Sequence, residues 1–181
     1  MDCKSVVCDA NRLYEAYLKT IKSSKRKEST QSFMVEFLRN IFTLRKELMN
    51  QTYQNSQGVE FVLSERGHTR FIVSKPVKDK IVRHVLCDDI LMPEIRKRII
   101  YDNGASVKGR GISHQRKRFE IHLRKYYEKY GNDGWIMFGD FSKFYDNIIH
   151  EIAKHQLLNL VEGNEFVSWL LEVIFKAFEI D

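Results

Sequence analysis

Residues 135–148 have the sequence WIMFGDFSKFYDNI, which combines a run of large apolar residues with two aspartates. The large apolar residues at 135–138 predict a short buried strand that ends just before the carboxylate of Asp140. Because Mg²⁺ prefers carboxylate oxygens and leaves room for substrate phosphates, Asp140 is a candidate metal ligand. The alternative is that Asp140 caps a turn, and Asp146 is interpreted as the cap of a helix that starts near Asn147.

The segment before this strand is strongly basic. Residues 102–112 predict a glycine-rich loop, and residues 113–130 predict a long polar helix. The loop sequence GASVKGRG nearly matches a phosphate-binding P-loop, but Arg110 and Gly111 replace the lysine and the hydroxyl that such a loop needs. We therefore favour a loop that contacts a nucleic-acid backbone through Lys108 and Arg110, with an ordinary surface loop as the alternative.

Further upstream, two β-like runs at 59–63 and 69–73 predict a hairpin whose turn uses Gly67 at a positive backbone φ. Pro76 then predicts the start of a helix. Cations alternate with apolar residues across this junction, so one strand face can pack while the other offers Arg70 to a phosphate. The alternative is an exposed edge strand that its charges keep from aggregating.

Helical periodicity accounts for most of the remaining chain. The predicted helices cover residues 9–22, about 29–48, 147–161 and 165–178, and a polar loop is predicted over 50–58. Asp9 or Asn11 can cap the first helix, and Ser29 or Thr30 can open the second. These elements predict an α+β fold, mostly helical, with a β-hairpin and one short further strand.

The composition is that of a folded protein, with 43% hydrophobic and 30% charged residues among 181 and only 2 prolines. These values exclude disordered, collagen-like and mucin-like classes. No apolar run is long enough for a membrane span, and the N-terminus lacks an apolar signal region. Three cysteines, an odd and sparse set, are typical of reduced thiols. We therefore expect a cytoplasmic protein without a membrane partner.

The net charge of +6 is spread unevenly along the chain. Residues 66–130 contain 17 Lys and Arg against 7 Asp and Glu, whereas residues 131–181 contain 3 against 9. A basic surface beside a carboxylate cluster is what a phosphate-handling site on nucleic acid needs. The alternative is a set of solvated helix faces with no such role.

Taken in order, these segments resemble the reverse transcriptases of bacteria and phages, a group that includes group II intron, retron, diversity-generating and abortive-infection enzymes. The resemblance covers about residues 59–155, and its stretch 101–111 is most similar to the phage and diversity-generating members. The matching positions are Arg70-x-Ile72, Pro76-x-x-Asp79-x-Ile81-Val82, Leu86, Pro93, the sequence IYDNGASVKGRG at 100–111 and the sequence GDFSKFYDNI at 139–148 followed by His150. The resemblance implies a right-hand polymerase, with residues 1–130 mainly as fingers and residues 131–181 as the start of the palm.

The resemblance also implies roles for single residues. Asp140 would be the first catalytic aspartate and would bind two Mg²⁺ ions, or Mn²⁺ in their place, with the backbone carbonyl of Phe141 as a further ligand. Tyr145 resembles the steric gate that excludes a ribose 2′-hydroxyl and so selects dNTPs, and Arg70 resembles the arginine that grips the triphosphate. The further positions implied for the nucleotide are Lys75 and Phe144. The positions implied for the RNA template and the DNA or RNA primer are Lys108, Arg110, Lys78, Lys80 and Arg116.

One departure from this family is decisive. The family needs two more aspartates in a Tyr-x-Asp-Asp turn and a glutamine-containing motif, and neither occurs in residues 141–181. We therefore expect an N-terminal piece of an RNA-directed DNA polymerase that is inactive alone, because one carboxylate cannot hold two ions about 3.5–4 Å apart against solvent. We also expect missing palm strands to leave an apolar surface that a homodimer would cover. The alternative function is a non-catalytic RNA-binding module derived from a reverse transcriptase.

Overall fold

Helices and one antiparallel hairpin make up the regular structure in the computed structural model, which describes residues 2–22, 24–65 and 67–177. The predicted α+β class is therefore confirmed at this coarse level. Arg66 in the predicted hairpin turn and Phe178 at the end of the last predicted helix lie outside the described residues. None of the helices in the described ranges has the length and apolar character needed to cross a membrane.

The elements divide between two compact units, each of which is described by itself. The hairpin unit comprises Met1–Ile95 with Ile149–Asp181, and the basic unit comprises Arg96–Ile148. In chain order the elements are α1 (Cys3–Val7), α2 (Ala10–Ile21), α3 (Glu28–Val35), α4 (Phe37–Met49), β1 (Val59–Glu65), β2 (His68–Ser74), α5 (Val77–Val85), a π-helical segment (Leu86–Leu91), α6 (Met92–Arg96), α7 (Ile112–Tyr130), α8 (His150–Leu160) and α9 (Glu165–Lys176).

Helix α2 follows its predicted pattern closely. Leu13, Tyr17 and Ile21 of its predicted apolar stripe are buried and the helix packs against α4 and α5, whereas Tyr14 and Leu18 of the stripe are exposed. The carboxylate of Asp9 accepts the backbone N–H of Arg12 at 2.9 Å, which confirms Asp9 as the cap. Tyr17 on the buried face stacks on Phe37 with the ring centroids 5.6 Å apart, so α2 anchors the start of α4.

The single helix predicted over about 29–48 is wrong, because the chain breaks at Glu36 into α3 and α4. The break frees the carbonyl of Phe33 from its helical donor, and the side-chain amide of Asn40 donates to it instead at 3.1 Å. Nor does Thr30 open the helix. Its hydroxyl is buried and donates to Ser24 at 3.3 Å, so it is not available as a cap.

The hairpin of β1 and β2 is confirmed, with a register that runs from the pair Val59 and Ser74 to the pair Glu65 and His68. Gly67 has a φ of +79°, which is the left-handed conformation expected for the predicted turn. All β1 side chains are exposed, so neither sheet face of this strand is buried against the core. A two-stranded hairpin of this kind is marginal on its own and depends on what it contacts.

A buried carboxylate ties the polar loop over 50–58 to α5. Helix α5 follows Pro76 as predicted, and Asp79 in its first turn is fully buried. The Asp79 carboxylate accepts the hydroxyl of Tyr53 at 2.7 Å and the backbone N–H of Ser56 at 3.0 Å. Burial and then the hydrogen bond to Asp79 raise the pKa of the Tyr53 phenol well above its ordinary value, so the ring stays neutral and keeps donating.

The strand predicted over 135–138 is wrong. These residues belong to no strand, and within the described ranges the only sheet is the pair β1 and β2. A strand needs a neighbour to accept and donate its ladder hydrogen bonds, and apolar composition alone does not supply one. Trp135, Met137 and Phe138 are exposed as a result, with exposed fractions of 101%, 93% and 85%.

The helix predicted from about residue 147 begins only at His150, and Asp146 is not its cap. Residues 142–147 form a turn instead, in which the side-chain amide of Asn147 donates to the carbonyls of Ser142 at 3.2 Å and Lys143 at 3.1 Å. The position before α8 is Ile149, which has no side-chain acceptor. Local side-chain to backbone bonds of this kind compete with helix formation and explain the late start.

Candidate nucleic-acid and nucleotide site

Asp140 lies in an exposed stretch of the basic unit. Every residue from 131 to 147 is exposed, and Asp140, like residues 135–138, belongs to no helix or strand. Within the described ranges the carboxylate accepts no hydrogen bond and forms no ion pair. It is therefore not used as a turn cap, which was the alternative interpretation, and both of its oxygens remain open to a ligand.

Three aromatic side chains follow Asp140 in the sequence, within residues 141–145. The rings of Phe141 and Phe144 are 6.2 Å apart, and Phe144 meets Tyr145 edge-on at 5.4 Å. Tyr145 is 84% exposed, so its hydroxyl and ring face solvent. The structure thus brings Phe144 and Tyr145 together, next in sequence to Asp140 and Phe141, on one short segment.

The residues present can supply only part of a metal shell. Octahedral Mg²⁺ takes about six oxygen ligands, of which Asp140 and the carbonyl of Phe141 can provide two or three. Over the described part of the chain, no group of three or more His, Cys, Asp and Glu side chains is placed to hold a metal ion. A cation at Asp140 would therefore need oxygens from water and from substrate phosphates.

The glycine-rich loop of the basic unit is organised around Tyr101. The guanidinium of Arg110 lies 4.9 Å from the Tyr101 ring centre and that of Arg118 lies 4.8 Å from it, which are cation–π distances. Arg110 also donates to the carbonyl of Ile100 at 3.4 Å and is half-buried, so it supports the loop. Lys108 is exposed at the tip of the turn, where it is open to a phosphate.

Asp102 fastens this loop to α7. Its carboxylate accepts hydrogen bonds from Arg118 and from His122, the latter at 2.7 Å, while its carbonyl accepts the amide of Gln115 at 2.8 Å. The hydrogen bond from Arg118, followed by that from His122, lowers the pKa of Asp102 below its usual range. Sequence analysis missed this cluster, because charge counting cannot say which cation pairs with which carboxylate.

Helix α7 buries none of its 19 residues. The α7 cationic surface consists of Arg116, Lys117, Arg124, Lys125 and Lys129, all of them exposed. Arg116 forms an exposed ion pair with Glu120 at 3.1 Å. Because such exposed pairs contribute little free energy, a phosphate group can replace the Glu120 carboxylate. Near the end of α7, the rings of Tyr126 and Tyr130 are 4.9 Å apart and also exposed. Cations beside exposed rings are typical of surfaces that bind single-stranded nucleic acid.

The other predicted cations lie in the hairpin unit and differ in their exposure and in their hydrogen-bond and ion-pair partners. Arg70 is exposed on β2. Lys78 pairs with Glu47 at 3.2 Å, and Lys75 donates to the carbonyl of Ser56 at 3.4 Å. Lys80 is half-buried, and burial followed by repulsion from Lys27 lowers its pKa. Arg70 is thus the most open of the four.

Comparison with known proteins assigns no family to the chain. No protein-family model matches it, and no curated protein is significantly similar to it in sequence. A functional assignment therefore depends on the sequence motifs and on the geometry of the two units.

Proposed function

We propose that the chain is the fingers and the start of the palm of an RNA-directed DNA polymerase, which adds dNTPs to a primer on an RNA template by two-metal phosphoryl transfer. The observation that carries the proposal is the exposed carboxylate of Asp140 with the exposed ring of Tyr145 five residues later. A carboxylate that neither caps a turn nor forms an ion pair can bind a metal ion that carries a triphosphate. The ring of Tyr145 can exclude a sugar that has a 2′-hydroxyl.

In this proposal Asp140 and the carbonyl of Phe141 hold the metal, while Phe144 and Tyr145 line the sugar. Bound Mg²⁺ would stabilise the attacking 3′-oxygen and the leaving pyrophosphate. Arg70 is assigned to the triphosphate because its guanidinium group can bind two phosphate oxygens at once, and Lys75 is assigned there as a second cation. With one carboxylate assigned to the metals, the 181-residue chain alone is expected to show no primer extension.

The backbone of template and primer would lie against Lys108, Arg110, Lys78, Lys80 and Arg116 in this proposal. Lys108 and Arg116 are the exposed members of this set and are expected to contribute most. Arg110 and Lys78 already have internal partners, so their contribution is expected to be smaller.

Replacing Tyr145 by Ala is expected to relax the choice of dNTP over rNTP by about 10- to 100-fold, because the space that the ring excludes becomes open to a 2′-hydroxyl. The measurement is primer extension with each nucleotide class in a polymerase that joins this sequence to a Tyr-x-Asp-Asp turn. Tyr145→Phe keeps the ring and is the matched control. Unchanged discrimination in Tyr145→Ala would remove the steric-gate assignment.

A second candidate function is RNA binding without catalysis. It is favoured by α7, a helix whose 19 residues are all outside the core and carry the α7 cationic surface. This function needs neither Asp140 nor a metal. Primer extension by the longer polymerase separates the two candidates, since the binding module would bind RNA and synthesise nothing.

Replacing Lys117, Arg124 and Lys125 together by Gln is expected to reduce the salt dependence of RNA binding. Each phosphate contact on a single strand contributes about 0.7 to the slope of log K against log salt, so the slope should fall by about 2. Fluorescence anisotropy of a labelled single-stranded RNA over a potassium chloride series gives this slope.

The matched control removes the same charge from the hairpin unit, at the exposed residues Lys22, Lys25 and Lys46. The control variant should keep the original slope. An equal fall in both variants would mean that only the net charge matters and that α7 is no particular binding surface.

We also propose that the chain forms a homodimer through the exposed segment over 135–138. Its unpaired backbone and its apolar side chains are both open, and such edges pair readily with a second copy. Light scattering should give twice the monomer mass, and Met137→Lys should return it to the monomer. A monomeric chain at high concentration would overturn this proposal.

A further inference from the structure

A cavity of about 650 Å³ lies in the hairpin unit where the hairpin meets α5 and α9. Three cations line it, namely Lys75, Arg83 and Lys176, against one carboxylate, Glu60. The volume is in the range of small-molecule sites. The excess of positive charge favours an anionic ligand, and three cations from three separate segments of the chain can surround a phosphate group.

The wall of this cavity is fixed before any ligand arrives. Ser56 donates its backbone N–H to buried Asp79 and accepts Lys75 at its carbonyl, so the loop is tied down on both sides. A Cβ at Gly58 would overlap the side chain of Val73, so the loop approaches β2 as closely as only glycine allows. Asn55 lines the cavity, and its buried Nδ2 has no hydrogen-bond partner within the described ranges. This unpaired N–H group is suited to donate a hydrogen bond to an acceptor atom of a ligand bound in the cavity.

An adjoining hollow of about 470 Å³ continues the cavity, since Asn55, Lys176 and Ala177 line both. Trp169 lines this second hollow and is only partly buried, with its ring against that of Phe166 at 5.5 Å. A flat indole beside a phosphate-sized cationic cavity is suited to stack on a nucleobase.

This cavity is distinct from the position of Arg70, which does not line it. A strand rises about 3.3 Å per residue, so the five residues from Arg70 to Lys75 span about 16 Å. Arg70 and Lys75 are therefore too far apart to contact one phosphate group, and the cavity shares Lys75, but not Arg70, with the proposed polymerase site.

We propose that the cavity is a nucleotide-binding site, with the phosphates among Lys75, Arg83 and Lys176 and the base against Trp169. The proposal rests on the cavity and its lining, and it stands whether or not the chain takes part in DNA synthesis. Its ligand class is a free nucleoside di- or triphosphate.

The test is a fluorescence titration of the full chain in a Trp135→Phe background, which leaves Trp169 as the reporter. ATP without metal should quench Trp169 saturably at a concentration below about 1 mM, and inorganic pyrophosphate should compete. Lys176→Gln and Lys75→Gln should each weaken ATP by about tenfold, because each removes a charge-assisted bond. Lys46→Gln is the matched control on the same unit and should bind as the parent does.

Several results would overturn the proposal. They are the absence of saturable quenching, quenching by adenosine as strong as that by ATP, or an equal loss in Lys46→Gln. Loss of ATP binding in Arg70→Gln would also overturn it, because the nucleotide would then belong to the proposed polymerase site. Circular dichroism of each variant checks that the helices are intact.

Discussion

Asp140→Asn is expected to abolish DNA synthesis while RNA binding stays within about twofold of the parent. An amide is a much weaker ligand for Mg²⁺ than a carboxylate, and Asp140 is the only side chain to which the proposed function assigns the metals. Residues that merely orient metal ligands cost about 10- to 100-fold when changed, so loss of a direct ligand should exceed 100-fold. Primer extension and RNA anisotropy on the same preparation measure the two effects.

The separation of the two readouts is the informative part of this experiment. Asp140 is exposed and unpaired, so the substitution disturbs no packing and should leave the fold unchanged. Asp133→Asn, a neighbouring exposed acid, is the matched control and should keep full synthesis. If Asp140→Asn still synthesises DNA, the metal assignment is wrong.

Asp79→Ala should destabilise the hairpin unit by about 2–4 kcal/mol. The substitution leaves the buried hydroxyl of Tyr53 and the N–H of Ser56 without their acceptor, and each lost partner costs about 1–3 kcal/mol. The loop that carries Ser56 would detach from α5, so the effect should extend to the base of the hairpin. Urea denaturation followed by circular dichroism gives the free energy of unfolding.

Two variants set the scale for this result. Asp88→Ala removes an exposed carboxylate that pairs with Lys19 at 2.9 Å, and should cost less than about 1 kcal/mol. Asp79→Asn keeps one acceptor oxygen but places its NH₂ group against one of the two donors, Tyr53 or Ser56. Its loss of stability should therefore lie between those of Asp88→Ala and Asp79→Ala. Equal stability of Asp79→Ala and Asp88→Ala would show that the buried hydrogen bonds contribute nothing.

The candidate site was only partly predictable from the sequence. Motif order singled out Asp140, Tyr145 and Arg70, and all three side chains are exposed. The cluster of Asp102 with Arg118 was missed because the two residues are 16 positions apart and no periodicity links them. Asp102 belongs to the quoted motif, but its place in the motif does not reveal its partners.

The sequence by itself determined the local elements: the helix capped by Asp9, the hairpin turn at Gly67 and the helix after Pro76. Each depends on side-chain to backbone bonds or allowed φ values within a few residues. Only the tertiary structure decided that Asp79 is buried against Tyr53 and that residues 135–138 form no strand. Burial and strand pairing depend on groups distant in the chain, and local sequence carries no record of which distant group will be there.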